Sequence, residues 1–292
     1  MRIAVLGLAS SWYVDDLRRA AGVAHAIVPV GYRELASCVD ASGVELHSGE
    51  TDLTSFDAML VRSMPPGSLE QVVFRMNALA ILSSSGVLVV NSPRAIEIAV
   101  DKYLATTRLR DAGLLVPSTL TCQTVDQAMA GFEALGKDVV VKPIFGSEGR
   151  GITRITDEAI ALRAFKALEQ IGAVIYLQQF VDHEGCDLRL LVIGKRVLGM
   201  RRRHPTDWRT NVSRGATGEP LEVTNELAEL ALRAATAVQA SVAGVDLLRG
   251  KDDRLYALEV NAVPGWRALA RVTGVDVARK VLTHVEHLIG SM

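Results

Sequence analysis

Apolar positions along this chain follow two periods. Ile3 to Leu6, Ile27 to Val30, Phe56 to Val61 and Val87 to Val90 are short apolar runs, each the length of a buried strand. Between them, Asp15 to Ala21 has helical character, and Leu69 to Ser84 places Leu69, Val72, Val73, Met76, Leu79 and Ala80 at helical spacing. Strand and helix alternate through residue 92, which predicts a doubly wound α/β domain. Sheets of that kind bind ligands beyond the carboxyl ends of their strands, where Ser10 and Arg62 fall. Arg62 can offer a carboxylate a bidentate fork, and a solvated loop arginine is an equal reading of the same residue.

Asn91-Ser92-Pro93 interrupts this pattern. Pro93 to Ala112 then reads as one helix, with Ala95, Ile96, Ile98, Ala99 and Leu104 on its apolar side and Gly113 ending it. An amphipathic helix over Val125 to Leu135, a strand of three valines before Lys142, and a helix over Glu158 to Gln170 with Leu162, Phe165 and Leu168 inward make a small α+β lobe. Val174 to Val181 is an apolar strand leading out of that lobe. Asp187 to Ile193 alternates, Asn225 to Ala240 is helical, Val242 to Leu248 and Arg254 to Leu258 are strands, and Val275 to Ile289 is a terminal helix. The expected division is residues 1–92, 93–177 and 178–292.

Composition narrows the function. The 292 residues are too many for one ordinary domain. Lys and Arg total 32 against 33 Asp and Glu, a formal net charge of −1, so no global basic field supports nucleic-acid binding. The triple Arg201-Arg202-Arg203 is short and reads as part strand, part anion-binding. Cys38, Cys122 and Cys186 are odd in number and widely spaced, giving neither a disulfide framework nor a zinc pattern, which fits a reducing cytoplasm. The apolar N-terminus is too short for a membrane span. His284 and His287 read as a surface helix pair rather than a metal clip.

Two stretches carry candidate chemistry. After the valine strand, Lys142-Pro143 leads into Gly146, Ser147, Gly149 and Gly151, followed by a returning strand at Ile152-Thr153-Arg154-Ile155. Glycines there let backbone N–H groups approach a polyphosphate, and the lysine adds a point charge. A plain hairpin with a flexible loop is an equal reading of that stretch alone. It matches neither a Walker loop nor a dinucleotide fingerprint. Downstream, Asp246, Glu259 and Asn261 are oxygen donors within or at the ends of adjacent strands, with 259 and 261 on one face. Two carboxylates and an amide suit Mg²⁺, with Mn²⁺ as a substitute, shared with phosphate oxygens.

Lys142 with its glycine loop, Gln179-Phe180-Val181, Gly185-Cys186-Asp187-Leu188-Arg189, Arg209-Thr210-Asn211, Gly244-Val245-Asp246 and Glu259-Val260-Asn261, in that order, resemble the ATP-grasp superfamily. Their spacing is similar to the RimK-type carboxylate–amine ligases from about Asn91 onward. The resemblance implies an ATP-grasp fold behind an N-terminal doubly wound α/β domain. It implies that Lys102, of the pair Asp101-Lys102, and Lys142 contact nucleotide phosphate, and that the backbone of Gln179, Phe180 and Val181 reads adenine. Gln179 stands where the family commonly has Glu. Asp187 would contact the nucleotide at its ribose, and Arg209 and Asn211 would face the γ-phosphate and reacting acyl group. Arg189, Arg202, Arg214, Trp266 and Arg267 are further substrate candidates alongside Arg62.

The implied reaction is ATP-driven amide formation through an acyl phosphate, with no Ser or Cys nucleophile. Three acceptor classes compete: a protein or carrier-protein terminus, a small cofactor, or a peptide or amino acid of secondary metabolism. The segment from Asn261 to Leu269 leans toward glutamate addition to a small cofactor, a pterin such as tetrahydromethanopterin ahead of a deazaflavin. The family further implies a homodimer or homotetramer. Retention of every metal ligand and phosphate lysine argues against a nucleotide-binding regulator, and a kinase stands as the remaining non-ligase reading.

Overall fold

A computed structural model of the chain describes every residue except Ser147, Glu148, Ser213 and Arg214. Among these residues the strands form four sheets. The first is parallel, in the order β2-β1-β6-β7, from β1 (Arg2–Leu6), β2 (Ala26–Val30), β6 (Ala58–Val61) and β7 (Leu88–Val90). Helices α1 (Trp12–Ala21) and α2 (Leu69–Ser84) connect its strands. The apolar runs of β1 and β6 are buried on both faces, as a helix-covered parallel sheet requires. Inserted between β2 and β6 is a small antiparallel sheet of β3 (Leu35–Asp40), β4 (Gly43–Ser48) and β5 (Thr51–Asp52). Its residues are mostly exposed, so no apolar period announces it.

The expected single helix from Pro93 is two: α3 (Pro93–Val100) and α4 (Lys102–Asp111). Asp101 is extended at the break, and its side chain accepts a hydrogen bond from the Leu104 amide, capping α4. Lys102 therefore opens a helix rather than lying within one. The small lobe follows, with β8 (Thr119–Cys122), α5 (Val125–Ala134), β9 (Val139–Lys142), β10 (Thr153–Ile155), α6 (Glu158–Gln170) and β11 (Ile175–Gln179). Its strands run antiparallel in the order β10-β9-β11-β8. In α6, Ala161 and Phe165 face inward while Leu162 is exposed, and in α2 Leu69 and Val73 are exposed. In both helices the buried face is set by the sheet beneath, and the apolar positions outnumber it.

The last sheet is antiparallel, β14-β13-β12-β15-β16, from β12 (Cys186–Ile193), β13 (Arg196–Arg203), β14 (Thr217–Pro220), β15 (Val242–Arg249) and β16 (Leu255–Asn261). It carries α7 (Asn225–Ala237), α8 (Arg267–Thr273) and α9 (Val277–Ile289). Two apolar cores join this sheet to the N-terminal one: one holds Leu6, Met59, Leu190 and Val245, the other Ile3, Leu60, Leu191 and Val285. The small lobe has its own core around Phe132, Phe165 and Leu177. The N-terminal and large C-terminal units thus share buried apolar surface, whereas a cleft separates the small lobe's sheet from the large one. Asn91 ties the joined units. Its side-chain amide donates to the carbonyls of Val242 and Ala262 and accepts from the amides of Ser241 and Val242.

Candidate active site

The cleft lies where β9 and β11 of the small lobe face β12, β13, β15 and β16. It has about 710 Å³ of atom-free space, the open solvent at its mouth included. One end is apolar, with Val140, Ile152, Phe180, Val181, Trp208, Leu248 and Leu258. Phe180 and Trp208 meet edge to face at 5.7 Å between ring centroids, and Arg154 lies 3.5 Å over the Phe180 ring while forking onto Asp138. The other end is charged: Lys142, Asp187, Arg202, Arg209, Asn211, Asp246 and Glu259 line it.

The charged end is arranged by strand register. Arg189 on β12 is opposite Asp246 on β15, which is opposite Glu259 on β16; Gly244 is opposite Asn261. Cross-strand partners share a face, so these polar groups all rise from one side of the sheet. A bulge follows the Asp246–Glu259 pair and leaves Leu258 unpaired. Asp246 accepts from Arg189 Nη1 at 2.7 Å and from Arg202 Nη2 at 2.9 Å, while Arg202 also forks onto Asp187. A Cβ at residue 244 would sit 2.4 Å from Arg189 Nη2, so only glycine leaves room for that guanidinium. Glu259 has no ion pair within 4 Å among the described residues, although Lys102 and Lys142 are near enough to act on it electrostatically.

Comparison with known proteins gives this cleft a family. A model of the RimK-like ATP-grasp domain matches residues 99–285, the stretch that builds it. The chain belongs to the RimK-like ATP-grasp family. It is therefore an enzyme of the ATP-dependent, ADP-forming carboxylate–amine ligase class. It is 32% identical over 272 residues to the tetrahydromethanopterin:alpha-L-glutamate ligase of Methanosarcina acetivorans, covering 83% of each chain. It is 26% identical over 240 residues to the glutamate–LysW ligase ArgX of Sulfurisphaera tokodaii, covering 80% of this chain and 83% of that one. The same fold occurs in a RimK domain ATP-grasp protein of Sphaerobacter thermophilus (TM-score 0.76, 23% identity, 97% of this chain and 99% of that one). It also occurs in the ligase PsnB complexed with precursor, Mg and ADP (TM-score 0.74, 22% identity, 98% and 97% covered).

In this ATP-grasp cleft the sequence-predicted residues sort as follows. Lys142 Nζ donates to Gln178 Oε1, and burial pushes its pKa down to about 8 against the opposing pull of Glu259. Lys102 Nζ donates to the Gly146 carbonyl at 2.9 Å, pinning the glycine loop to α4; burial lowers its pKa and Glu259 and Asp101 oppose. Gly149 and Gly151 take positive φ, +69° and +71°, which justifies glycine there. Ser147 and Arg214, also expected at the site, lie outside the described residues. Arg209 forks onto Asp207, holding that carboxyl down at about 2, and lines the cleft with Asn211.

Several expectations need correction. Phe180 donates its amide to the Asp138 carbonyl, so that N–H is not available to a base. Gln179 is exposed at the cleft edge, and its amide donates to Ser118. Both Asp187 oxygens accept from Arg202; burial raises its pKa, and a ribose contact has only the remaining lone pairs. Arg189 is held by Asp246 and is not free for substrate. Trp266 is buried at 1% exposure, its indole N–H donating to Asp16, and so cannot line an open acceptor pocket. Arg267 is exposed, 5.5 Å over the Trp12 ring.

Gln178 was missed. It is 2% exposed and links Lys142 to the hydroxyls of Thr119 and Tyr176. The signal was present: it follows Tyr176 by two residues in an apolar strand, so both share a face. Among the described residues no group of three or more His, Cys, Asp or Glu side chains is placed to hold a metal. The two carboxylates and one amide of Asp246, Glu259 and Asn261 remain, all oxygen donors, and the unpaired Glu259 is compatible with a hard divalent cation.

Proposed function

We propose that this enzyme joins the amine of L-glutamate to a carboxylate of a small-molecule cofactor of the tetrahydromethanopterin kind, through an acyl phosphate. The observation that carries the ligase site is one cleft whose apolar end is edged by Phe180 and Trp208 and whose far end sets Lys142 beside an unpaired Glu259. Glutamate is the reading supported by the relatives, since three of them, at 28–32% identity, are tetrahydromethanopterin:alpha-L-glutamate ligases.

A carboxylate is a poor electrophile, and transfer of the γ-phosphoryl group converts it into one. In this reading adenine packs against Phe180, Val181 and Trp208, with Gln179 at the edge and Asp187 toward the ribose. Lys142, Lys102 and Arg209 hold the phosphates, and the loop of Gly146, Gly149 and Gly151 covers them and excludes water. Mg²⁺, or Mn²⁺ in its place, held by Asp246, Glu259 and Asn261, would neutralise charge on the phosphate oxygens. The amine then attacks the acyl carbon and phosphate leaves. Arg209 and Asn211 supply N–H donors to the oxyanion that forms.

The names of the ArgX relatives, at 26–27% identity, support a second acceptor, the end of a small carrier protein. ADP release with ATP, Mg²⁺, L-glutamate and each acceptor, omitting one component at a time, tests both. ADP formation that needs all components, with the pterin mass rising by one glutamyl unit, is expected. Turnover only with carrier protein would replace the acceptor, and a phosphorylated product formed without an amine would replace the reaction.

A further inference from the structure

Arg62 follows β6 at the carboxyl edge of the N-terminal sheet and has no carboxylate within 4 Å among the described residues. Its guanidinium packs against two aromatic rings that meet edge to face, 4.7 Å from the Tyr13 centroid and 4.1 Å from that of Trp266. Nη2 donates to the Pro264 carbonyl at 2.6 Å. Among the described residues Nε is buried without an acceptor, and none offers an acceptor to Nη1. Burial lowers the pKa to about 10, which still leaves the group charged at neutral pH. A guanidinium brings five N–H donors, and burial in a fold leaves each of them needing an acceptor. This one is fixed in plane and left short of acceptors.

The fixing is elaborate. Trp266 is itself anchored through its indole N–H to Asp16 on α1, and Asp16 also takes Arg19. Tyr13 stacks edge to face on Trp266 at 5.0 Å, and its hydroxyl lies 2.6 Å from where a Cβ on Gly265 would be, so the Pro264-Gly265 turn must be glycine to pass. The cavity behind Arg62, shared with Leu60, Asn91 and Val242, has only about 10 Å³ of room, enough for about one water. Arg62 as a residue is nonetheless partly exposed, so a ligand would meet the guanidinium outside that cavity. Pro264 is three residues beyond Asn261, so the fork is tied to the end of the strand that carries Glu259 and Asn261.

We infer that Arg62 binds a carboxylate of the amino-acid substrate, as a specificity-determining residue. The inference rests on the glutamate reading above. Glutamate brings two carboxylates that must stay unreacted while its amine attacks. In the cleft, Arg189 and Arg202 are neutralised by Asp246 and Asp187, and Arg209 by Asp207. Arg62 is a charged fork that no protein acid has filled, and its planar donors match a carboxylate.

Titration of L-glutamate into the full-length protein with Mg²⁺ and a non-hydrolysable ATP analogue tests this without any acceptor. Wild-type protein is expected to bind, Arg62→Met to lose about 30-fold or more in glutamate affinity, and Arg62→Lys to recover only part of it, with affinity for the ATP analogue unchanged in both. The Arg62 side-chain Nε–H resonance in wild-type protein should shift on glutamate addition, a readout that stands even if a variant fails to fold. Glutamate affinity equal in wild type and Arg62→Met, or a glutamate-saturated wild type with an unmoved Nε–H signal, overturns the inference. Wild-type protein that binds the ATP analogue but no glutamate overturns the glutamate reading itself and this inference with it. Loss of affinity for the acceptor instead of glutamate would reassign the fork and refute it as stated.

Discussion

Replacing Lys142 by Met should make the unliganded protein more stable at neutral pH while removing a phosphate contact. The buried ammonium of Lys142 has a pKa of about 8, chiefly through burial, against the usual lysine value of 10.5 in the unfolded chain. Between those values the unfolded state binds more protons, so wild-type stability rises with pH across that window. Two and a half pKa units correspond to about 3 kcal/mol lost at pH 7, falling to about 1 kcal/mol at pH 10. Lys142→Met removes this charge but strands Gln178 Oε1, a cost of about 1–3 kcal/mol that does not vary with pH. The net effect at one pH is thus a small difference, but the change between two pH values is not. Urea unfolding of both proteins at pH 7 and pH 10 should show the variant's relative stability falling by about 2 kcal/mol as pH rises. A stability difference that stays constant across that range would refute the assignment of Lys142 as a charge held against its desolvation. The same variant should bind Mg·ATP at least about tenfold more weakly at pH 7.

Gln178→Leu withdraws the acceptor from the Lys142 ammonium, so the alkaline limb of ATP binding should move to lower pH, read from binding constants between pH 6 and 9. Arg202→Met leaves Asp187 and Asp246 buried on one face with only Arg189 remaining, and should cost about 3–5 kcal/mol in denaturant unfolding. Asn91→Ala removes four buried backbone partnerships between the N-terminal and C-terminal units, and a loss of about 3 kcal/mol in the same assay is expected. Trp208→Ala should weaken nucleotide binding by about 1–2 kcal/mol by isothermal titration while leaving the thermal midpoint little changed.

Local pattern alone carried much of this protein. The apolar runs of β1, β6 and β9, the helical spacing of α6 and the Asp-then-Glu-x-Asn placement on β15 and β16 are short-range properties, because a strand's two faces and a helix's stripe are set by residues two to four apart. Those patterns put Lys142 at the end of a strand and Asp246, Glu259 and Asn261 within or at the end of adjacent strands, while their gathering on one side of a cleft came from the sheet's register. The same local logic merged α3 with α4, since Asp101 breaks the helix by a capping bond that apolar spacing does not register. It also overlooked β3 to β5, whose exposed strands carry no apolar period. Charge state and partnership were decided only by tertiary packing. Nothing near Arg202 in the chain says that it will be shared by Asp187 and Asp246, and nothing near Arg62 says that Tyr13 and Trp266, 49 residues before and 204 after it, will pack against its guanidinium. Whether an arginine is spent on the fold or kept for a ligand depends on which acids the sheets bring within 4 Å, and that distance exists only once the chain has folded.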